Sequence, residues 1–150
     1  MSRRLAVLCS LSLLPWVVIV YPGEVDLVFG WGLLNSSPVH LVHLYDYLFV
    51  HTLGPAALPP HLLAWPLSVS FYLAALCSGG LSLVDREDRR LTACLVLVAA
   101  LSNLRMWWGL STTGLTAVPL GAIGMVAYTW WFHTADLRRV LPAWDETSRD

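Results

Sequence analysis

"LLAWPLSVSFYLAALCSGGLSLVDREDRRLTACLVLVAALSNLRMWWGL", from Leu62 to Leu110, places two long apolar runs on either side of one short charged segment. A helix needs roughly 20 predominantly apolar residues to cross about 30 Å of hydrocarbon, and both runs are close to that length. They predict transmembrane helices at 62–84 and 91–110, joined by an inner loop at 85–90.

Two further apolar runs, at 5–21 and 115–133, have the same character. The whole chain is 57% hydrophobic and 13% charged, whereas soluble domains average about 45–50% and about 25%. The sequence therefore predicts an all-α integral membrane protein, a single four-helix transmembrane domain that covers residues 1–150.

The arginines predict the orientation of these helices. The chain has nine arginines and no lysine, and short loops rich in basic residues stay on the cytoplasmic side. Eight of the nine flank the apolar runs on one side: Arg3, Arg4, Arg86, Arg89, Arg90, Arg138, Arg139 and Arg149. We expect a multi-pass protein of the cell membrane, with both termini cytoplasmic, a cytoplasmic tail at 134–150 and a long outer loop at 22–61.

The outer loop contains "PVHLVHLYDYLFVHTLGP", residues 38–55. Pro38 is a helix start signal and "LGP" a stop signal, and helical periodicity places the histidines on one narrow face. A helix of this length is too short to span the bilayer. The stretch predicts an amphipathic helix at 39–53 that lies in the outer interface.

That polar face has three readings: a metal or haem site, packing at the membrane interface, and a pH-sensitive or partner-facing surface. Imidazoles one helical turn apart can hold a divalent metal, so His40, His43 and His51 are candidate ligands. Histidine is also amphipathic, and the three rings could instead lie at the level of the lipid headgroups. No cofactor is predicted beyond this candidate metal.

Arg105 is the one arginine inside a predicted span, where an ionisable group is costly. It lies near the outer end of its helix, so an ion pair with Asp46, or with Glu24 or Asp26, would join the outer loop to the bundle. A bound anion and a lipid phosphate are the alternative partners.

Two motifs, "PWVVIVYPGE" and "LYDYLF", together with the four-span plan and the lack of lysine, resemble a family of small, uncharacterised haloarchaeal membrane proteins. The resemblance covers most of the chain. It implies an archaeal membrane protein and assigns no activity or residue role.

No catalytic set converges in the sequence, which contains no phosphate-binding glycine loop, nucleophile elbow or carboxylate pair. The first functional hypothesis is a non-catalytic accessory subunit or scaffold of a membrane complex. Its partners would be the lipid bilayer and another membrane protein or a second copy, and no nucleic acid is expected. The alternative is a membrane protein that binds a metal or redox cofactor through the histidines of the outer loop.

Overall fold

The computed structural model describes residues 3–84 and 86–138. Five helices and five strands follow one another along the chain: α1 (Arg3–Ser10), β1 (Val17–Tyr21), β2 (Glu24–Val28), β3 (Gly32–Ser36), β4 (Val39–His43), α2 (Leu44–Phe49), α3 (Pro60–Gly80), α4 (Arg89–Thr112), β5 (Thr116–Val118) and α5 (Leu120–Arg138). Short 3-10 turns at Pro55–Ala57 and Leu81–Val84 precede and follow α3.

The strands form one antiparallel sheet in the order β4-β3-β2-β1-β5. The first four strands make successive hairpins, whereas β5 reaches the free edge of β1 only after α3 and α4. The tight turn between β1 and β2 contains Pro22 and Gly23, and Gly23 has a φ of 95°. Proline followed by a glycine with positive φ is the residue pair that a type II turn requires.

The all-α prediction is wrong, because part of the apolar sequence forms this sheet. The run at 5–21 is divided between α1 and β1. Pro15 lies between them and cannot continue a helix, and the β-branched Val17, Val18 and Ile19 favour a strand. The run at 115–133 is likewise divided, between β5 and α5.

The interfacial helix predicted at 39–53 is also wrong. Residues 39–43 form β4, which pairs with β3 from Gly32↔His43 to Ser36↔Val39. Only the six residues of α2 are helical. The hydrogen bonds of the sheet outweigh the helical pattern, and the outer loop becomes a three-strand extension of β1.

Two helices in the described ranges are long and apolar enough to cross a membrane: Pro60–Val84 and Arg89–Thr112. They coincide with the second and third predicted spans, so two candidate spans replace the four that we expected. The first five residues of the predicted tail at 134–150 belong to α5, and the rest lie outside the described residues.

The hairpin of α3 and α4 is the largest packing unit. Ser68 Oγ donates to the Ala99 carbonyl at 2.8 Å, and the Ser78 and Thr92 hydroxyls are 2.8 Å apart. Small buried residues, among them Ala75 and Ala99, let the two helices approach closely. We call the end where α3 begins and α4 ends the sheet end, and the opposite end the turn end.

The sheet packs over the sheet end. One of its faces joins Val17, Ile19 and Val28 to Trp65 and Met106 in a buried apolar cluster. Helix α1 precedes Trp16 in the chain and lies toward the turn end. There Leu8 and Leu5 lie against Gly79 of α3. The Tyr72 hydroxyl donates to the Leu8 carbonyl and fixes α1 to α3.

The close approach of Trp16 to Gly121 of α5 predicts different effects for two glycine substitutions. A Cβ atom at Gly121 would lie 2.6 Å from the Trp16 Cα, whereas a Cβ atom at Gly80 would meet nothing within 4 Å. Gly121→Ala should lower the free energy of unfolding by about 1–3 kcal/mol, the usual cost of overpacking. Gly80→Ala should change it by less than about 0.5 kcal/mol. Chemical unfolding in mild detergent measures both, and equal stabilities would contradict this packing.

Candidate functional site

Polar residues form a row across the face of the sheet that lies over α3 and α4. Residues directly opposite on antiparallel strands share a face, and Ile19, Asp26, Asn35 and His40 are opposite one another in turn. Ile19 is buried, Asp26 and Asn35 are half-buried, and His40 is exposed. The row therefore runs from the apolar core under β1 to the exposed edge strand β4.

Two acceptor atoms in this row have no hydrogen-bond partner among residues 3–84 and 86–138: Asp26 Oδ1 and Asn35 Oδ1, both buried. Burial, and then the charge of Glu24, raises the pKa of Asp26. Burial, with smaller contributions from Asp26 and Glu24, also raises the pKa of Tyr21. This part of the sheet therefore contains two buried acceptor atoms without a donor among the described residues.

A cavity of about 190 Å³ lies beside the row, between the sheet and the sheet end of the helices. Its lining is mostly apolar: Ile19, Tyr21, Val28, Leu33, Tyr47, Leu62, Trp65, Met106 and Leu110. The lining residues differ in exposure, and both groups contain strand and helix residues. Five of the nine are buried and form the floor: Ile19, Val28, Trp65, Met106 and Leu110. The remaining four are partly exposed and form the mouth.

Aromatic rings form one wall of the cavity. The rings of Tyr47 and Trp65 are tilted at 59° with centroids 5.3 Å apart. Trp65 Nε1 donates to the Phe29 carbonyl at 2.9 Å, which anchors the indole to the end of β2. With this N–H bonded, the ring presents only apolar surface to the cavity. Burial raises the pKa of Tyr47, so its hydroxyl stays protonated at neutral pH.

The structure does not bring the three predicted metal ligands together. His40 and His43 are three residues apart on β4, so their side chains lie on opposite faces of the sheet, and His51 follows α2. Within the part of the chain that the structure describes, no three His, Cys, Asp or Glu side chains could hold a metal ion. The metal hypothesis rested on helical spacing, which the strand does not have. The metal site therefore stays a prediction, and its three histidines do not converge in this structure.

Arg105 and Asp46 are not paired either. Arg105 is exposed on α4, and Asp46 lies in the first turn of α2. No hydrogen bond or ion pair between these two side chains is present among the described residues. The Asp46 carbonyl accepts from the backbone N–H groups of Val50 and His51. The ion pair between Arg105 and Asp46 therefore stays a prediction.

Neither the polar row nor the cavity was predicted from the sequence. The signal that could have found them is "VVIVYPGEVDLV", where β-branched residues flank a Pro-Gly turn. This pattern predicts a hairpin. Once that register is assumed, Asp26 falls opposite Ile19.

A family model described as a domain of unknown function, DUF8050, matches residues 1–143. The match covers most of the chain, so the chain belongs to this family. No curated protein and no solved structure matches the chain.

The raised pKa of Asp26 predicts a pH-dependent stability. The folded chain holds this proton more tightly than the unfolded chain, where an aspartate has a pKa of about 3.9. The free energy of unfolding therefore falls as the pH rises from this value through the folded pKa. Asp26→Asn removes this loss, so the variant should melt above the wild type at pH 7 and lose its advantage below about pH 4. Melting curves across pH 3–8 test this, and a wild type that melts higher at pH 7 would contradict it.

Proposed function

We propose that the chain is an integral membrane protein with a non-catalytic role, an accessory subunit that binds another membrane protein. In this proposal α3 and α4 cross the bilayer and the sheet lies outside the cell. The exposed apolar belt on the long helices carries the proposal. The aliphatic surface of the sheet supports the other part of the proposal, the binding of a partner protein.

The belt consists of large apolar side chains that the fold leaves exposed on α3, α4 and α5 and on the turn after α3: Leu67, Leu73, Leu81, Leu83, Val84, Leu91, Val98, Leu101, Trp108, Ile123, Val126, Trp130 and Trp131. Soluble monomers rarely expose contiguous apolar patches larger than a few hundred Å². Hydrocarbon is the solvent in which such a belt is favourable. At about 1.5 Å per residue, the 24 residues of α4 extend about 36 Å, enough to cross the hydrocarbon with some tilt.

Two hydroxyls on the accessible surface of these helices are satisfied locally. Ser70 Oγ donates to the Pro66 carbonyl and Ser102 Oγ to the Val98 carbonyl, each four residues back along its own helix. A hydroxyl bonded in this way does not need water. The helices can therefore expose these two residues to lipid without leaving their hydroxyl donors unsatisfied.

The arginines support the orientation. Arg86, Arg89 and Arg90 follow α3 at the turn end, and α1, which begins at Arg3, packs against the same end. The turns that join β1, β2, β3 and β4 contain no basic residue. Since basic loops stay in the cytoplasm, the turn end is cytoplasmic and the sheet is outside.

The outer face of the sheet, which we define as the face turned away from α3 and α4, supports the binding of a partner. Eight aliphatic residues lie on it, by the register of the strands: Val18, Val20, Val25, Leu27, Leu34, Val39, Leu41 and Val118. No aspartate, glutamate, lysine or arginine of the five strands shares this face. The pattern of an exposed antiparallel sheet is normally apolar inside and polar outside, and here the outer face is the more apolar.

A protein is a better cover for this face than lipid. The edge strands β4 and β5 carry backbone N–H and C=O groups that no neighbouring strand pairs within the described sheet. Hydrocarbon cannot satisfy such groups, so open sheets are not exposed to lipid at membrane depth. The sheet therefore belongs at the water-exposed surface, where a partner protein covers its aliphatic side chains.

Single-cysteine labelling tests the orientation. In a background with Cys9, Cys77 and Cys94 replaced by alanine, Leu53→Cys places a thiol at a side chain that is 97% exposed in the segment between α2 and α3, away from the face that the partner covers. Glu87→Cys places one at the turn end. A membrane-impermeant maleimide should label the first variant on intact cells and the second only after lysis. Labelling of both on intact cells, or recovery of the chain in the soluble fraction, would contradict the proposal.

A charge on the outer face should release the partner. Val20 is 43% exposed on this face and Leu53 is 97% exposed away from the sheet. Val20→Glu should weaken the complex at least about tenfold, which corresponds to about 1.4 kcal/mol, and leave the melting temperature unchanged. Leu53→Glu is the matched control and should keep the complex.

Native mass measurements in mild detergent, on cells that express two differently tagged copies, provide the readout. A heavier complex that contains only one tag supports a different protein as the partner. A monomeric wild type, or a complex that Val20→Glu leaves intact, would contradict the proposal.

A further inference from the structure

The cavity beside the polar row is larger than ordinary packing leaves. Protein interiors are close-packed, and most of their voids are smaller than a water molecule. The volume here is about 190 Å³. An engineered cavity of about 150 Å³ with an aliphatic and aromatic lining stays dry and binds benzene. A void of this size loses dispersion contacts along its whole lining unless a molecule fills it.

Water is a poor occupant of the floor. A buried water needs two to four polar partners, but Ile19, Val28 and Leu110 have none to offer. Met106 adds only a weak thioether acceptor, and the N–H of Trp65 is bonded to the Phe29 carbonyl. The floor is therefore suited to an apolar molecule.

The walls favour a ring. Tyr47 and Trp65 present aromatic surface from two different elements, and their tilted arrangement leaves both rings at the cavity. Aromatic pairs prefer offset or edge-to-face contacts, and a thioether such as that of Met106 also packs favourably at a ring edge. A planar guest would make these contacts with three lining residues at once.

The rim adds two hydrogen-bond acceptors that lack a partner within residues 3–84 and 86–138. Asp26 lies opposite Ile19 and Asn35 lies two residues from Leu33, so both flank lining residues on the same face. Their Oδ1 atoms are buried acceptors without a partner among the described residues. A buried acceptor that receives no hydrogen bond is costly, so a guest that brings a donor would satisfy it.

We propose that this cavity binds a small, uncharged ring compound, between benzene and indole in size, with one hydrogen-bond donor that Asp26 or Asn35 accepts. The site does not depend on the proposed accessory function, because every residue in it belongs to the sheet, to α2 or to the neighbouring ends of α3 and α4. A failure of the membrane topology would leave it unchanged.

Thermal unfolding with four probes tests the chemistry of the guest. Phenol and indole have a ring and a donor, benzene has only the ring, and 1-hexanol has only the donor. A ligand that binds the folded chain raises its melting temperature. Phenol and indole at millimolar concentration should raise it by several degrees, benzene should raise it less, and 1-hexanol should not raise it. Equal shifts with all four probes, or none with phenol and indole, would overturn the proposal.

A filled cavity should lose this response. Leu33→Phe adds a ring at the mouth, so the variant should melt at or above the wild-type temperature and show no shift with phenol. Asn35→Leu removes one acceptor and should reduce the advantage of phenol over benzene. His40→Leu, in the same row at the exposed edge, is the matched control and should keep that advantage. A phenol shift that persists in Leu33→Phe would overturn the site.

Methionine methyl resonances locate the guest in the wild-type protein, where no substitution can disturb folding. Met106 lines the cavity, whereas Met125 is fully buried in the other apolar cluster. Bound phenol should shift the Met106 methyl signal through its ring current and leave the Met125 signal in place. Equal shifts of both signals, or an unchanged Met106 signal, would place the ring elsewhere and overturn the proposal.

Discussion

The pairing of β1 with β5 is the constraint on which the rest of the structure depends. It joins residues from opposite ends of the chain, Val18↔Val118 to Val20↔Thr116, after the whole hairpin of α3 and α4 has intervened. Just below it, Trp16 N donates to the Val28 carbonyl at 2.6 Å, and Gly121 N donates to the Trp16 carbonyl at 2.8 Å. One fully buried tryptophan thus links α1, the sheet and α5. The sheet can lie over the sheet end of the helices only in this arrangement.

The site follows from this placement of the sheet. The strands run outward past the ends of α3 and α4, so their helix-facing side chains change from aliphatic near Val17 to polar near Glu24. Where the aliphatic side chains give way to the polar ones, the sheet and the helices separate and leave the cavity. The pKa of Asp26 rises there because its carboxyl is withdrawn from water without gaining a donor. The same junction therefore produces both the void and the unpaired acceptors.

The sequence predicted the two long helices and failed on the strands, for a physical reason. Uniformly apolar runs such as 62–84 leave no ambiguity, because only a helix satisfies its own backbone over that length. In contrast, "PWVVIVY" is apolar and short, and hydropathy alone does not distinguish a buried strand from part of a helix. The decisive interaction is the distant segment at 116–118, and no local pattern specifies it. Four spans were predicted because the length of each apolar run was taken as sufficient evidence for a transmembrane helix.

The site residues were misplaced for a related reason. A helix at 39–53 would put His40 and His43 on one face, whereas a strand alternates faces and separates them. The predicted pair of Arg105 with Asp46 relied instead on the position of Arg105 near the outer end of its span. The row that Asp26 and Asn35 share was not predicted, because their proximity depends on the strand register.

Cross-linking between Val18 and Val118 tests the central claim most directly. In a background without the native cysteines, Val18→Cys and Val118→Cys place two thiols on directly opposite residues of β1 and β5. Mild oxidation should close an intramolecular disulfide in this variant, detected as a faster-migrating band that reductant reverses. The control pair Val18→Cys and Ile123→Cys should not close, because Ile123 belongs to α5 and is not paired with any position of β1. Absence of the first disulfide, or equal closure of both pairs, would contradict the sheet and the site that it creates.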